Sequence, residues 1–284
     1  MFAAILFALA QGPAPVEGSA SVEEPRTGAF NIRFEKLHPE GKRADVLDRL
    51  GFALRVVRDQ DPSDGVIDMG LQTFRIRVPR GYDAEKPAGL LVWMDATSSG
   101  RVPKDWDRVV DAANLITVAP NGAGDSALIW NRAGLALAAV AGIEGRYAID
   151  PKRVYVAGVG VGGRMASRLA IAWPDVFRGA LCASGAAYFL PLQDPDNARA
   201  SWPARVKKPS PRLLRMGRDR TRFVLLAGSE DKDRGLCRAL AQHMAEVGEF
   251  RSVTYLEVPG RGEHTPDEVW FRRALEALDA PLTR

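Results

Sequence analysis

Two runs of this chain flank a glycine-rich turn. Arg153-Val154-Tyr155-Val156-Ala157 reads as a buried strand, and Arg164-Met165-Ala166-Ser167-Arg168-Leu169-Ala170-Ile171-Ala172 reads as a helix. Between them stands Gly158-Val159-Gly160-Val161-Gly162-Gly163. A sharp strand-to-helix turn of this kind can hold a nucleophile clear above a sheet, as in the pattern Gly-x-Ser-x-Gly. The residue at the tip here is Gly160, which has no attacking atom. Asp231, with Asp233 just behind it, follows the apolar run Phe223 to Gly228, and His264 follows Ser252 to Val258.

Other residues could do other chemistry. Gly158, Gly160 and Gly163 also satisfy Gly-x-Gly-x-x-Gly after a strand and before a helix, a dinucleotide-binding pattern. Against it, the next strand ends Leu181-Cys182-Ala183-Ser184, with no acid to hold a ribose, and the motif does not open the fold. Ser184 ends a strand with no base beside it in sequence and reads as a turn residue, as do Ser98 and Ser99. Asp95, Asp231 and His264 are the one set that could hold a metal or a water, but their spacing has no ligand logic. His38 and His243 have no sequence partner and read as surface residues.

The elements that must position these groups alternate between strand and helix from Leu71 onward, which predicts a mostly parallel sheet covered on both faces. Phe74, Ile76 and Val78 alternate with Arg75 and Arg77, so Leu71 to Val78 is a strand with one face exposed. Leu90 to Met94 is apolar throughout and reads as central. Trp106 to Ala113, Gly134 to Tyr147, Leu236 to Val247 and Asp267 to Leu278 read as helices. Leu115 to Ala119, Gly179 to Ser184, Phe223 to Gly228 and Ser252 to Val258 read as strands. The connection 186–222 carries Pro191, Pro195, Pro203, Pro209 and Pro211 and reads as a long cap-like loop.

Taken together, these elements resemble an α/β hydrolase of the polyhydroxybutyrate-depolymerase and feruloyl-esterase type. The stretches that carry the resemblance are Val78-Pro79-Arg80-Gly81-Tyr82-Asp83, the strand Gly89 to Met94, Ile149-Asp150-Pro151-Lys152-Arg153-Val154-Tyr155-Val156-Ala157-Gly158, Ala172-Trp173-Pro174-Asp175-Val176-Phe177-Arg178-Gly179, and the tail from Phe223 to Leu278. The resemblance implies a three-layer α/β/α hydrolase fold with a mostly parallel central sheet. It puts the nucleophile position at Gly160 and the acid at Asp231, with Asp233 as the second candidate. Relatives place the base in a Gly-x-Gly-His context. Here Gly260-Arg261-Gly262-Glu263-His264 puts Glu263 in that slot and His264 one residue later. The oxyanion region falls on Val161 and on Asp95-Ala96, where many relatives carry His-Gly, and a carboxylate at Asp95 would oppose a developing oxyanion.

Composition bounds the rest. The chain has 284 residues, 46% hydrophobic and 26% charged, enough for one large domain. A net charge of +4 does not by itself indicate nucleic acid. Residues 199–222 carry nine Lys and Arg, and only Trp202 could stack on a base. The segment reads as solvated, with contact to an anion as the alternative. Met1 to Ala10 is one apolar run ending Ala8-Leu9-Ala10, which reads as a signal peptide and is too short to span a bilayer. Residues 11–28 read as a flexible linker, and 29–284 as the domain. Cys182 and Cys237 read as buried thiols rather than a bridge. The expectation is an exported, esterase-like protein that needs no cofactor or metal and is catalytically impaired at Gly160. Its partner would be a small ester or anionic ligand, with no nucleic acid and no membrane span. The alternative is a working carboxylic-ester hydrolase with an unorthodox site.

Overall fold

The structure, a computed structural model, describes residues 25–51, 66–194, 197 and 199–282. The segment read as a signal peptide, and the linker as far as residue 24, lie outside the described residues.

The strands are β1 (Gly28–Ile32), β2 (Phe74–Val78), β3 (Ala88–Met94), β4 (Leu115–Pro120), β5 (Ile149–Val159), β6 (Gly179–Ala183), β7 (Leu192–Gln193), β8 (Ser201–Trp202), β9 (Arg222–Gly228) and β10 (Ser252–Val258). Eight form one sheet in the order β1-β2-β4-β3-β5-β6-β9-β10. β1 and β2 are antiparallel to their neighbours, and the strands from β4 to β10 run parallel. Every residue of β3 is buried, as a parallel strand with helices on both faces requires. β5, which leads into Gly160, is fifth in the order and thus central.

The helices are α1 (Arg43–Leu50), α2 (Asp107–Ala112), α3 (Ile129–Glu144), α4 (Val161–Ala172), α5 (Pro211–Arg220), α6 (Arg234–Glu246) and α7 (Glu268–Asp279). α1, α3, α4 and α6 bury their apolar stripes in one core, and α2 and α7 bury theirs in a second core across the sheet. The result is three layers. Each large apolar side chain fully buried this way contributes about 1.5–3 kcal/mol relative to exposure.

Polar contacts fix the loops that matter for the site. Trp106 stacks on Phe271 at 3.8 Å and meets Trp93 edge-on at 5.0 Å. Its indole N–H donates to the Pro266 carbonyl at 2.7 Å, which ties down the turn carrying Glu263 and His264. The Tyr155 hydroxyl donates to Asp279 at 2.7 Å, and Arg153 grips the same carboxylate with two bonds, fastening the end of α7 to β5.

Four expectations need correction. α3 starts at Ile129, not Gly134. Gly134 lies inside the helix, where a Cβ would meet Ile67 at 2.5 Å and the Gly41 carbonyl at 2.9 Å, so its small size serves packing rather than a helix start. The connection 186–222 is not all loop. It holds the β7–β8 hairpin and α5, which Ser210 caps by accepting from the Leu213 N–H at 3.4 Å, with Pro211 in the first turn. Order begins before the expected boundary, since β1 starts at Gly28 and Tyr147 donates to the Arg26 carbonyl. His38 and His243 are half-buried rather than on the surface. Both cysteines are free and buried, as expected.

Candidate functional site

β5 ends at Val159, and α4 begins at Val161. Gly160 makes the turn alone, with φ 55° and ψ −113°. That backbone region is sparsely populated by residues with a Cβ. The turn is held from both sides. Gly160 N–H donates to the Ala183 carbonyl at 2.8 Å, and its own carbonyl accepts from Arg164 N–H at 3.0 Å. Close packing under the turn explains the neighbouring glycines. A Cβ on Gly158 would strike the Gly162 backbone, and one on Gly162 would strike the Met94 carbonyl oxygen. These glycines therefore have a role in strand–helix contact that needs no dinucleotide.

The space above Gly160 is taken. A Cβ built there would collide with Oε1 of Glu263. The other oxygen of Glu263 lies 3.3 Å from Lys232 Nζ, and the side chain is 46% exposed. A carboxylate oxygen thus sits too close to the place of a side chain's first atom at residue 160 for both to fit, beside the amino end of α4. Helix amino ends favour negative charge.

His264 does not meet Asp231. Its Nδ1 lies 2.9 Å from the Gly262 carbonyl, and Nε2 has no hydrogen-bond partner. A carbonyl can only accept, so in the neutral ring Nδ1 carries the proton and Nε2 the lone pair. Asp231 is 7% exposed, the one buried acid among the described residues. Oδ1 of Asp231 accepts from Asp233 N–H at 2.8 Å, and Oδ2 has no partner. Each group therefore keeps one unused atom, and no hydrogen bond joins them. Asp233 pairs with Arg164 of α4. Burial raises the Asp233 carboxyl above its usual range, against the pull of Arg164, with Asp231 adding to the rise.

Asp95 serves its own loop. Oδ1 accepts from Thr97 N–H at 2.9 Å, and Oδ2 accepts from Thr97 Oγ1, Ser99 Oγ and Arg101 N–H at 3.0, 3.2 and 3.1 Å. The carboxylate expected to oppose an oxyanion is saturated by turn hydrogen bonds. The Ala96 carbonyl accepts from Asp125 N–H, closing the same loop. Val161 is half-buried at the first position of α4, where N–H groups have no partner within the helix. Ser184 is fully buried with φ 49°, and its hydroxyl has no partner, so no base stands beside it. Among the described residues, no three His, Cys, Asp or Glu side chains gather as metal ligands.

Three features escaped sequence reasoning: the reach of Glu263 over Gly160, the Arg164–Asp233 pair, and an arginine-lined cavity beside α4. Arg164 and Arg168 stand four apart as the charged residues of the helix, and that spacing was the available signal for the cavity.

No family model matches the chain, and no curated protein matches it in sequence. Solved structures do match in shape. One is a feruloyl esterase module from Clostridium thermocellum, a serine-to-alanine mutant complexed with sinapinate (TM-score 0.53, 15% identity, 73% of this chain and 81% of that one). A second is Est1E from Butyrivibrio proteoclasticus (0.52, 12%, 77% and 97%). A third is the S-formylglutathione hydrolase FrmB from Staphylococcus aureus (0.51, 12%, 88% and 96%). The fold is the α/β hydrolase fold of esterases. Such a likeness speaks for architecture, and the chemistry rests on the residues above. No helix among the described residues is long and apolar enough to cross a membrane.

Proposed function

We propose that this chain is an esterase-like α/β-hydrolase protein whose nucleophile position is Gly160. In this reading it is catalytically impaired and retained to bind a small ester or anionic ligand. The observation that carries the reading is the Glu263 carboxylate in the space of the missing side chain, at a turn whose φ of 55° suits glycine. The unjoined Asp231 and His264 support it, since acyl transfer needs the acid, the base and an oxygen nucleophile acting as a unit. Met1 to Ala10 adds export to the proposal through its signal-peptide pattern.

A second reading has one observation in its favour. Nε2 of His264 is buried and unpartnered, so a water admitted beside it could give up a proton to it, giving ester hydrolysis without a covalent intermediate. A single experiment separates the two. Purified protein is offered p-nitrophenyl acetate and, separately, a fluorophosphonate probe, with His264→Ala as control. Impairment predicts no turnover above the control and no covalent label. Turnover lost in His264→Ala without labelling would favour the second reading. Stoichiometric labelling of any serine, Ser184 included, would overturn both.

A further inference from the structure

Beside the elbow helix lies a cavity of 270 Å³. That is just under the ~300–1,000 Å³ typical of ligand sites, so its occupant is small. Arg164 and Arg168 of α4 are among its walls. Arg205, Tyr188 and Trp202 come from the connection 186–222, and Leu236 from α6. Gly160, Glu263 and His264 are not among its walls.

The charges do not balance. Three guanidinium groups line the cavity, and Asp233 is the single carboxylate among its walls. Asp233 is already bound to Arg164. Arg168 is half-buried, and its one side-chain hydrogen bond is a long one, from Nε to the Arg205 carbonyl at 3.4 Å. Neither Arg168 nor Arg205 forms an ion pair among the described residues. The charges acting on Arg168 are all positive: Arg132, Arg164 and Arg205. Burial, followed by those three cations, pulls its guanidinium down to about 10. An unpaired, partly buried guanidinium among like charges is costly unless an anion joins it. The rest of the wall is apolar, and it includes the rings of Tyr188 and Trp202 and the side chain of Leu236. A guanidinium fork matches the two oxygens of a carboxylate or phosphate, and apolar walls take the body that carries it.

We infer that this cavity binds a small organic anion, with a carboxylate or phosphate head on Arg168 and Arg205 and a ring or short apolar body against Tyr188, Trp202 and Leu236. This deepens the ligand-binding proposal above by naming the site and the ligand class.

Calorimetry on the full chain tests it with four probes: benzoate, phenyl phosphate, inorganic phosphate and benzyl alcohol. The expected result is binding of both aryl anions, weaker binding of inorganic phosphate, and none of the alcohol. Arg168→Gln and Arg205→Gln should each weaken the aryl anions by roughly 10- to 100-fold, the loss expected for a charged hydrogen bond. Arg205 is exposed, so its variant keeps the test decisive even if Arg168→Gln fails to fold. Equal affinity for benzyl alcohol and benzoate would overturn the proposal. So would equal affinity for inorganic and phenyl phosphate, absence of anion binding, or unchanged affinity in Arg205→Gln. The readout is binding alone. Ester turnover by the protein would sink the impaired-site proposal and leave this one standing, whereas lost anion binding would do the reverse.

Discussion

Replacing Gly160 by serine should destabilise the protein, and the cost divides into two parts. The backbone at φ 55° and ψ −113° is pinned by hydrogen bonds to Ala183 and Arg164, so a residue with a Cβ must accept it. That strain is about 1–3 kcal/mol. The new Cβ also displaces Glu263, a flexible and half-exposed side chain that can swing away at the expense of its contact with Lys232. An exposed ion pair of that kind is worth about 0–1 kcal/mol. The sum is about 1–4 kcal/mol. For a domain of this size each kcal/mol lowers Tm by about 2–4 °C. Thermal and urea unfolding of Gly160→Ser, Gly160→Ala and each combined with Glu263→Ala would separate the parts. The alanine variant should cost as much as the serine one, because the Cβ is the cause. Glu263→Ala should recover only the smaller part, seen as a coupling in the double-mutant cycle. A Gly160→Ser variant as stable as the parent would refute the argument, because the turn would then be free to relax. The same variant should gain little esterase activity, since His264 is bound to its own loop and residue 263 is the one facing the turn. Adding Glu263→His and His264→Glu should do better, and efficient turnover by Gly160→Ser alone would show that the base was in place all along.

Two more outcomes are expected. Burial lowers both His38 and His243 below the usual 6.5, in His38 against the pull of Glu40 and Asp175. Nδ1 of His38 is also engaged as an acceptor from Glu40 N–H. The folded protein therefore resists protons that the unfolded chain takes up, so stability is full above pH 6.5 and falls as pH drops through it. Urea unfolding across that window should show the loss, and a His38→Asn, His243→Asn variant should flatten it; an unchanged slope would count against the burial argument. For export, mass spectrometry of the secreted protein should find a chain starting near Gln11, whereas an intact Met1 in a cytoplasmic fraction would refute it.

The parallel core was legible because its strands are apolar runs with clear ends. Ser252–Val258 and the β5–α4 turn are placed where the pattern puts them. α5 was hidden because four of its ten residues are arginine and it sits among prolines, although Ser210-Pro211 is a helix-start signal. α1 is only eight residues long, so its buried Val46, Leu47 and Leu50 gave little periodicity to read. Gly134 misled because glycine marks both turns and close packing. The order Gly260 to His264 located the base slot, but order along a chain does not say which side chain reaches inward. Anchoring of the loop through Trp106 and Pro266, and of His264 through Gly262, settles that in three dimensions.

In the proposed reading, Gly160 and Glu263 are best understood together. A serine at 160 would need the volume that the Glu263 carboxylate occupies, and a carboxylate there would oppose the negative charge of an acyl-transfer intermediate. With glycine at the tip, the turn carries no Cβ strain and the carboxylate sits by a helix amino end that favours it. Either change alone would leave a conflict, a serine crowded by an acid or an empty turn above unshielded helix N–H groups. The pair removes both. The arginine-lined cavity lies one helical turn further along α4, and its walls include neither residue. In the proposed reading, anion binding in that cavity does not depend on chemistry at residue 160, which is the physical condition for binding to persist without turnover.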